Sequence, residues 1–135
     1  MTGFVLDPRL EADTQPVCDL GLCTVRLMDD ANYPWLIVVP RRSGLVDLID
    51  VAPEERALLT TEIDIVSRAL LSVTACDKLN VASLGNQVRQ LHVHVIARFE
   101  SDAAWPGPIW GKIPAKPYSE TDRHALIEKL KGVLV

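Results

Sequence analysis

Two imidazoles, two residues apart, are the residues of this chain best suited to chemistry. They lie in Gln90-Leu91-His92-Val93-His94-Val95-Ile96-Ala97-Arg98, where Leu91, Val93 and Val95 alternate with Gln90, His92, His94, Ile96 and Arg98. A period of two predicts a half-buried β-strand, with one face in a core and the histidines together on the other. Three chemistries fit. The pair is polar decoration of a solvated face; or it holds a metal ion, which needs a third and usually a fourth ligand; or one imidazole attacks while its neighbour handles a proton or a developing charge. The remaining histidine, His124, sits in a downstream segment that reads as a surface helix.

The elements around the pair predict how it is positioned. Cys23-Thr24-Val25-Arg26-Leu27-Met28 reads as a strand, and Asp29 to Pro34 as a turn by composition. Trp35 to Val39 is a continuous apolar run, expected as a central strand that Pro40 stops. These two strands form a hairpin. Leu59, Ile63, Val66, Leu70 and Val73 step by four and three, one apolar stripe on a helix entered at Pro53 and running to about Ser72. Glu54 and Glu55 oppose the positive end of that helix's dipole. Asp77 to Ala82 is a short strand, and Ser83 to Gln87 is the loop that leads into the histidine strand. There Gly85 permits a positive φ or a close backbone approach, and Asn86 and Gln87 offer amide donors where an anion would sit. Ser119-Glu120-Thr121-Asp122 starts a last helix that reaches Gly132.

At 135 residues, with 48% hydrophobic and 24% charged residues, the chain is one domain with a real core. Residues 1–17 are expected mostly as an N-terminal surface arm without chemistry, in which Leu6 to Glu11 can form a turn of helix. Residues 18–100 form the core with the motif strand, and 101–135 a Trp/Pro-rich loop and the C-terminal helix. The order of elements predicts an α+β domain with a mainly antiparallel sheet. A net charge of −4 and the lack of a basic run argue against a duplex nucleic-acid partner. No uncharged apolar run approaches the roughly 18 residues of a membrane helix, and no leader pattern opens the chain. Cys18, Cys23 and Cys76, an odd count without regular spacing, are expected as small buried hydrophobes rather than a disulfide framework. The expectation is a soluble, reduced, cytoplasmic protein.

Gln90-Leu91-His92-Val93-His94-Val95-Ile96 resembles the motif of the histidine triad (HIT) family, His-φ-His-φ-His-φ-φ with φ apolar, with Gln90 replacing the first histidine. Gly85-Asn86-Gln87-Val88 is similar to that family's Gly-Gln-Ser/Thr-Val loop. Trp35-Leu36-Ile37-Val38-Val39-Pro40-Arg41-Arg42 is similar to its apolar strand closed by Pro and a basic pair. The likeness spans roughly residues 18 to 100. It implies a HIT-like fold of five strands, a homodimer, and cleavage of a small purine nucleotide at its α-phosphorus without metal or cofactor. The leaving group is an amine, a second phosphate or another substituent.

By the resemblance His92 aligns with the nucleophile, which forms a covalent nucleotidyl-imidazole that water or another acceptor resolves. His94 aligns with the third histidine, donating to a phosphoryl or bridging oxygen. Gln90 takes a supporting position; it can donate and accept a hydrogen bond but cannot titrate. Asn86 and Gln87 are implied at the phosphate, Asp29 at the ribose hydroxyls and Asn80 at ribose or phosphate. Trp105 is implied in the outer wall of the pocket, its own or a partner's. The alternative is a nucleotide-binding regulator that keeps the fold and has lost turnover.

Overall fold

Two chain segments without regular apolar periodicity cover a face of the sheet that the sequence leaves open. A computed structural model describes residues 3–134. In chain order the elements are helix α1 (Pro8–Asp13), strands β1 (Thr14–Asp19), β2 (Cys23–Met28) and β3 (Trp35–Pro40), a 3-10 turn (Leu48–Asp50), helix α2 (Pro53–Thr74), strands β4 (Lys78–Ala82) and β5 (Val93–Arg98), and helix α3 (Glu120–Leu134). The strands form one antiparallel sheet in the order β1-β2-β3-β5-β4. This is the expected α+β architecture. No helix among the described residues is long and apolar enough to cross a membrane.

The inner face follows the pleat. Val25, Leu36, Val38, Val93, Val95 and Ala97 meet Leu59, Val66 and Leu70 of α2 and Leu130 of α3 in the main core. The predicted α2 stripe is the packed one. The helix ends two residues beyond Ser72 because Ala75 adopts a left-handed conformation (φ 51°) and its N–H returns to the Leu71 carbonyl. Ser119 Oγ accepts from the Asp122 N–H at the start of α3, which runs past Gly132 to Leu134, with His124 exposed. One contact was invisible to the pattern. Glu62, buried on α2, accepts from the N–H groups of Leu22 and Cys23, both at 2.8 Å, and so ties the β1–β2 turn to the helix. Burial, helped by Glu62, pushes the Cys23 thiol well above the ordinary thiol range, which makes it inert packing.

The outer face departs from expectation. Every residue of β5 is buried, so the strand is not half-solvated. One cover is N-terminal: Leu10 of α1 packs on Ile37 and Val39. Within the expected arm, the described residues form a helix capped by Asp7, where Leu6 to Glu11 offer a helical turn, and an edge strand that crosses the boundary at 17/18. Pro16 is tolerated there because an edge position needs no ladder N–H, and the register shifts beside it. The other cover is the loop after β5, where Ala104 and Ile109 pack with Tyr33 and Ile96. The motif strand also begins later than Gln90. Leu91 donates its N–H to the Leu45 carbonyl instead of joining the ladder, so pairing starts at Val93.

Arg98 fastens the second cover. It is 1% exposed, bonds Asp102 through Nε and Nη2 at 2.9 and 3.1 Å, and reaches the Gly107 carbonyl. Asp102 also accepts the N–H groups of Phe99, Ala104 and Trp105, and these contacts, led by Arg98, hold its carboxyl down at about 2. Removing it leaves a buried guanidinium unpaired. Asp102→Ala is expected to destabilise the fold by about 3–5 kcal/mol, measured by urea unfolding. A loss below about 1 kcal/mol would contradict the fastening role.

Candidate active site

The histidines occupy the seam between the two covers. His92 lies just before β5. Its Nδ1 is 2.7 Å from the Gln90 carbonyl oxygen. A carbonyl only accepts, so Nδ1 carries a proton, and in the neutral ring Nε2 is the nitrogen that keeps a lone pair. His94 lies on β5, opposite Ile37. Its Nε2 is 2.8 Å from the Leu84 carbonyl and so carries its proton, while Nδ1 accepts from the Trp35 indole N–H at 3.0 Å. The two rings meet edge to face, 4.9 Å apart. Trp110, brought in by the loop cover, sets its edge against both His94 (5.1 Å) and Trp35 (6.2 Å).

The two rings differ in what their nitrogens meet. Burial, with His92 adding to it, pushes His94 down to about 4, although the Leu84 contact opposes this. At neutral pH His94 is an uncharged ring with both nitrogens occupied. His92 is the ring with a free nitrogen. The pair therefore offers a metal ion one lone pair, and no cluster of three His, Cys, Asp or Glu side chains suited to a metal exists among the described residues.

Two cavities meet at His92. The larger, about 380 Å³, is walled by Leu10, Met28, Trp35, Leu84 and Trp110, with Arg9, Asn86 and Gln87 along its polar side. The smaller, about 220 Å³, is lined by Asp47, Ser83, Arg89 and Gln90. Gly85 stands between them for a steric reason. A Cβ there would lie 2.6 Å from the Val88 carbonyl oxygen and 3.2 Å from His92 Cε1, so no side chain fits without moving this loop or His92.

The structure brings together His92, His94, Asn86 and Gln87. Other expected residues stand elsewhere. Asn80 faces Arg98, which donates to its Oδ1 at 2.7 Å, and it lines neither cavity. Within its own chain Trp105 stacks on the Arg98 guanidinium at 5.7 Å, and the tryptophans at that chain's histidines are Trp35 and Trp110. Asp29 lines a third hollow that shares Asp13, Met28 and Trp35 with the larger cavity, but its Oδ1 accepts the Tyr118 N–H. Gln90 supports His92 through its backbone carbonyl, and its side chain turns instead to Val5 and Asp7. His94 has no nitrogen left for a phosphoryl oxygen. Arg9 and Trp35 escaped the sequence reading, Arg9 because its segment was taken as inert. Trp35 was legible in principle: alternation along β3 puts it on the outer face with Ile37, across from His94 and Ile96.

The HIT domain family model matches residues 9–101. A histidine triad protein of Bradyrhizobium japonicum is 48% identical over 98% of both chains, with a TM-score of 0.96. A histidine triad (HIT) protein of Sinorhizobium meliloti is 46% identical over 99% of both, also at 0.96. A third, from Marinobacter aquaeolei, is 43% identical over 97% of this chain and 96% of that one, at 0.94. No curated protein matches the chain.

His94 also makes stability depend on pH. Its ring holds a proton less readily folded (about 4) than at the ordinary 6.5. Between these values the unfolded chain binds more protons, so stability is intact above pH 6.5 and falls as the pH drops toward 4, by at most about 3 kcal/mol. Urea unfolding at pH 7, 6, 5 and 4.5 should show this decline, and His94→Gln should flatten it. Equal slopes in the two proteins would rule the assignment out.

Proposed function

Because this chain belongs to the HIT domain family, we propose that it is a cytoplasmic hydrolase or transferase acting on a small purine nucleotide at its α-phosphorus through His92. The observation that carries this reading is the His92 tautomer. Its Nδ1 proton is committed to the Gln90 carbonyl, and its Nε2 lone pair stands at the junction of two cavities. A neutral imidazole of this kind is a nucleophile at pH 7 without a separate base.

The steps follow from the same contacts. Nε2 attacks the α-phosphorus, the bond to the leaving group breaks as that group takes the electron pair and a proton from solvent, and a nucleotidyl-imidazole forms. The positive charge that develops on the ring strengthens the Nδ1–H bond to the Gln90 carbonyl. Amides of the Asn86–Gln87 loop stabilise the non-bridging oxygens. Water, or another acceptor, then attacks phosphorus, the P–N bond breaks, and His92 returns to its starting tautomer. His94 acts here as a brace. Held between Trp35 and Leu84, it keeps an uncharged ring against His92 and anchors the loop that carries Gly85.

The nucleoside fits the larger cavity, its base between Trp35, Trp110 and Met28, with Asp13 and the free oxygen of Asp29 near the ribose hydroxyls. The homodimer expected from the family would use β4. That strand is an open edge of the sheet, with Val81 half exposed; sedimentation mass tests it.

Release of nucleoside monophosphate from adenosine and guanosine phosphoramidates and dinucleoside polyphosphates tests the chemistry. The parent should turn over at least one of them, and His92→Ala should be slower by at least about 10³-fold. Acid-quenched parent should carry a nucleotidyl mass that the variant lacks. Undiminished release by His92→Ala would exclude the nucleophile. Binding without release by the parent would favour the regulator.

A further inference from the structure

The residue that departs from the family motif performs a task at the other end of the chain. The Gln90 carboxamide makes two hydrogen bonds to the backbone of the N-terminal segment. Its Nε2 donates to the Val5 carbonyl at 2.9 Å, and its Oε1 accepts the Asp7 N–H at 2.8 Å. These contacts span more than eighty residues of sequence. Asp7 then caps α1 through the Arg9 N–H at 2.8 Å, with Pro8 in the first helical turn. Leu10, 3% exposed, anchors the helix on the sheet. What this strap delivers is Arg9. Its Nη2 donates to Gln87 Oε1 at 3.0 Å, in the wall of the larger cavity beside Asn86 and His92.

That single contact fixes the guanidinium and leaves four of its five N–H groups available. Arg9 has no carboxylate partner among the described residues. Among the described residues it is the one cationic side chain lining the cavity that holds both histidines, Arg89 lining the smaller cavity beside it. A planar fork of donors beside a nucleophile that attacks phosphorus matches phosphoryl oxygens in geometry and charge. We propose that Arg9 is a substrate-binding residue for the nucleotide's phosphoryl oxygens, and that Gln90 is the positioning residue that holds the N-terminal strap so that Arg9 reaches them. The inference rests on the nucleotide reading of the site and adds to it a contact outside the motif. It also accounts for Gln90. Support of His92 comes from the backbone carbonyl, which any residue supplies, so the side chain at position 90 is released to hold the strap.

The test compares AMP with adenosine, which differ by the phosphate alone. Both are titrated calorimetrically into the parent, Arg9→Ala, Arg9→Lys and Gln90→Ala, with thermal unfolding run on each as a check of folding. Arg9→Ala should weaken AMP by about ten- to a hundredfold and leave adenosine unchanged. Arg9→Lys should recover part of the loss, since it keeps charge but not the fork. Gln90→Ala should lose AMP affinity in the same selective way, and amide exchange at Asp7 should quicken. With a turned-over substrate, Gln90→Ala should raise KM and spare kcat, because the His92 contact is to backbone. An AMP-to-adenosine affinity ratio unchanged by Arg9→Ala would overturn the proposal while leaving the nucleotide reading intact. Equal weakening of both ligands would reduce Arg9 to a structural part of the wall and also overturn it. If the parent binds neither ligand, the nucleotide reading falls and this inference with it.

Discussion

Arg98 places a charge where there is no water to solvate it. It emerges on the outer face of β5, almost without exposure, and its charge is met by Asp102 four residues later. An unpaired guanidinium there is prohibitive, so the chain after β5 must turn back across the sheet. Asp102 enforces the turn by accepting three backbone N–H groups of the loop as well. Tyr33 and Trp105 close over the guanidinium at 6.0 and 5.7 Å. The returning loop carries Trp110 to His94 and Trp35. The dryness of the histidine site, and with it the neutrality of His94, thus depends on an ion pair that does not touch the site.

The two histidines share a strand face and differ in what their nitrogens meet. Backbone carbonyls set both tautomers, Gln90 for His92 and Leu84 for His94. Trp35 makes the difference, since its indole N–H occupies the second nitrogen of His94. Carbonyls and an indole do not titrate, so the partners that orient the two rings are themselves insensitive to pH.

Much of this was legible in the sequence where burial is one-sided. Alternation along β5 and the four-and-three stripe on α2 name the inner core nearly residue by residue, and Gly85 announces a tight approach beside the motif. The outer face was not legible. Its covers are a six-residue helix and an irregular loop, too short or too aperiodic to show a moment. Asn80 and Trp105 are implied at the ligand by the family resemblance, whereas within this chain both meet Arg98, which the pattern reads only as the end of a strand. Gln90 misled differently: its type was compared with histidine as a side chain, while the group that serves His92 is its carbonyl. Pattern reading assigns faces; it does not say which atom of a residue is used.

The two covers come from opposite ends of the sequence, residues 3–13 and 99–117, and they meet at the seam without belonging to either packed helix. Their composition is under weak demand from the main core. Substitutions or length changes that spare Asp102 and the Gln90 contacts reshape the walls of the larger cavity while β5, α2 and the carbonyls that orient His92 stay as they are. The architecture separates what reacts from what is admitted. Away from Asp102 and from the Val5 and Asp7 contacts to Gln90, the two flaps can vary and so alter what the cavity admits, with little effect on the fold or on His92.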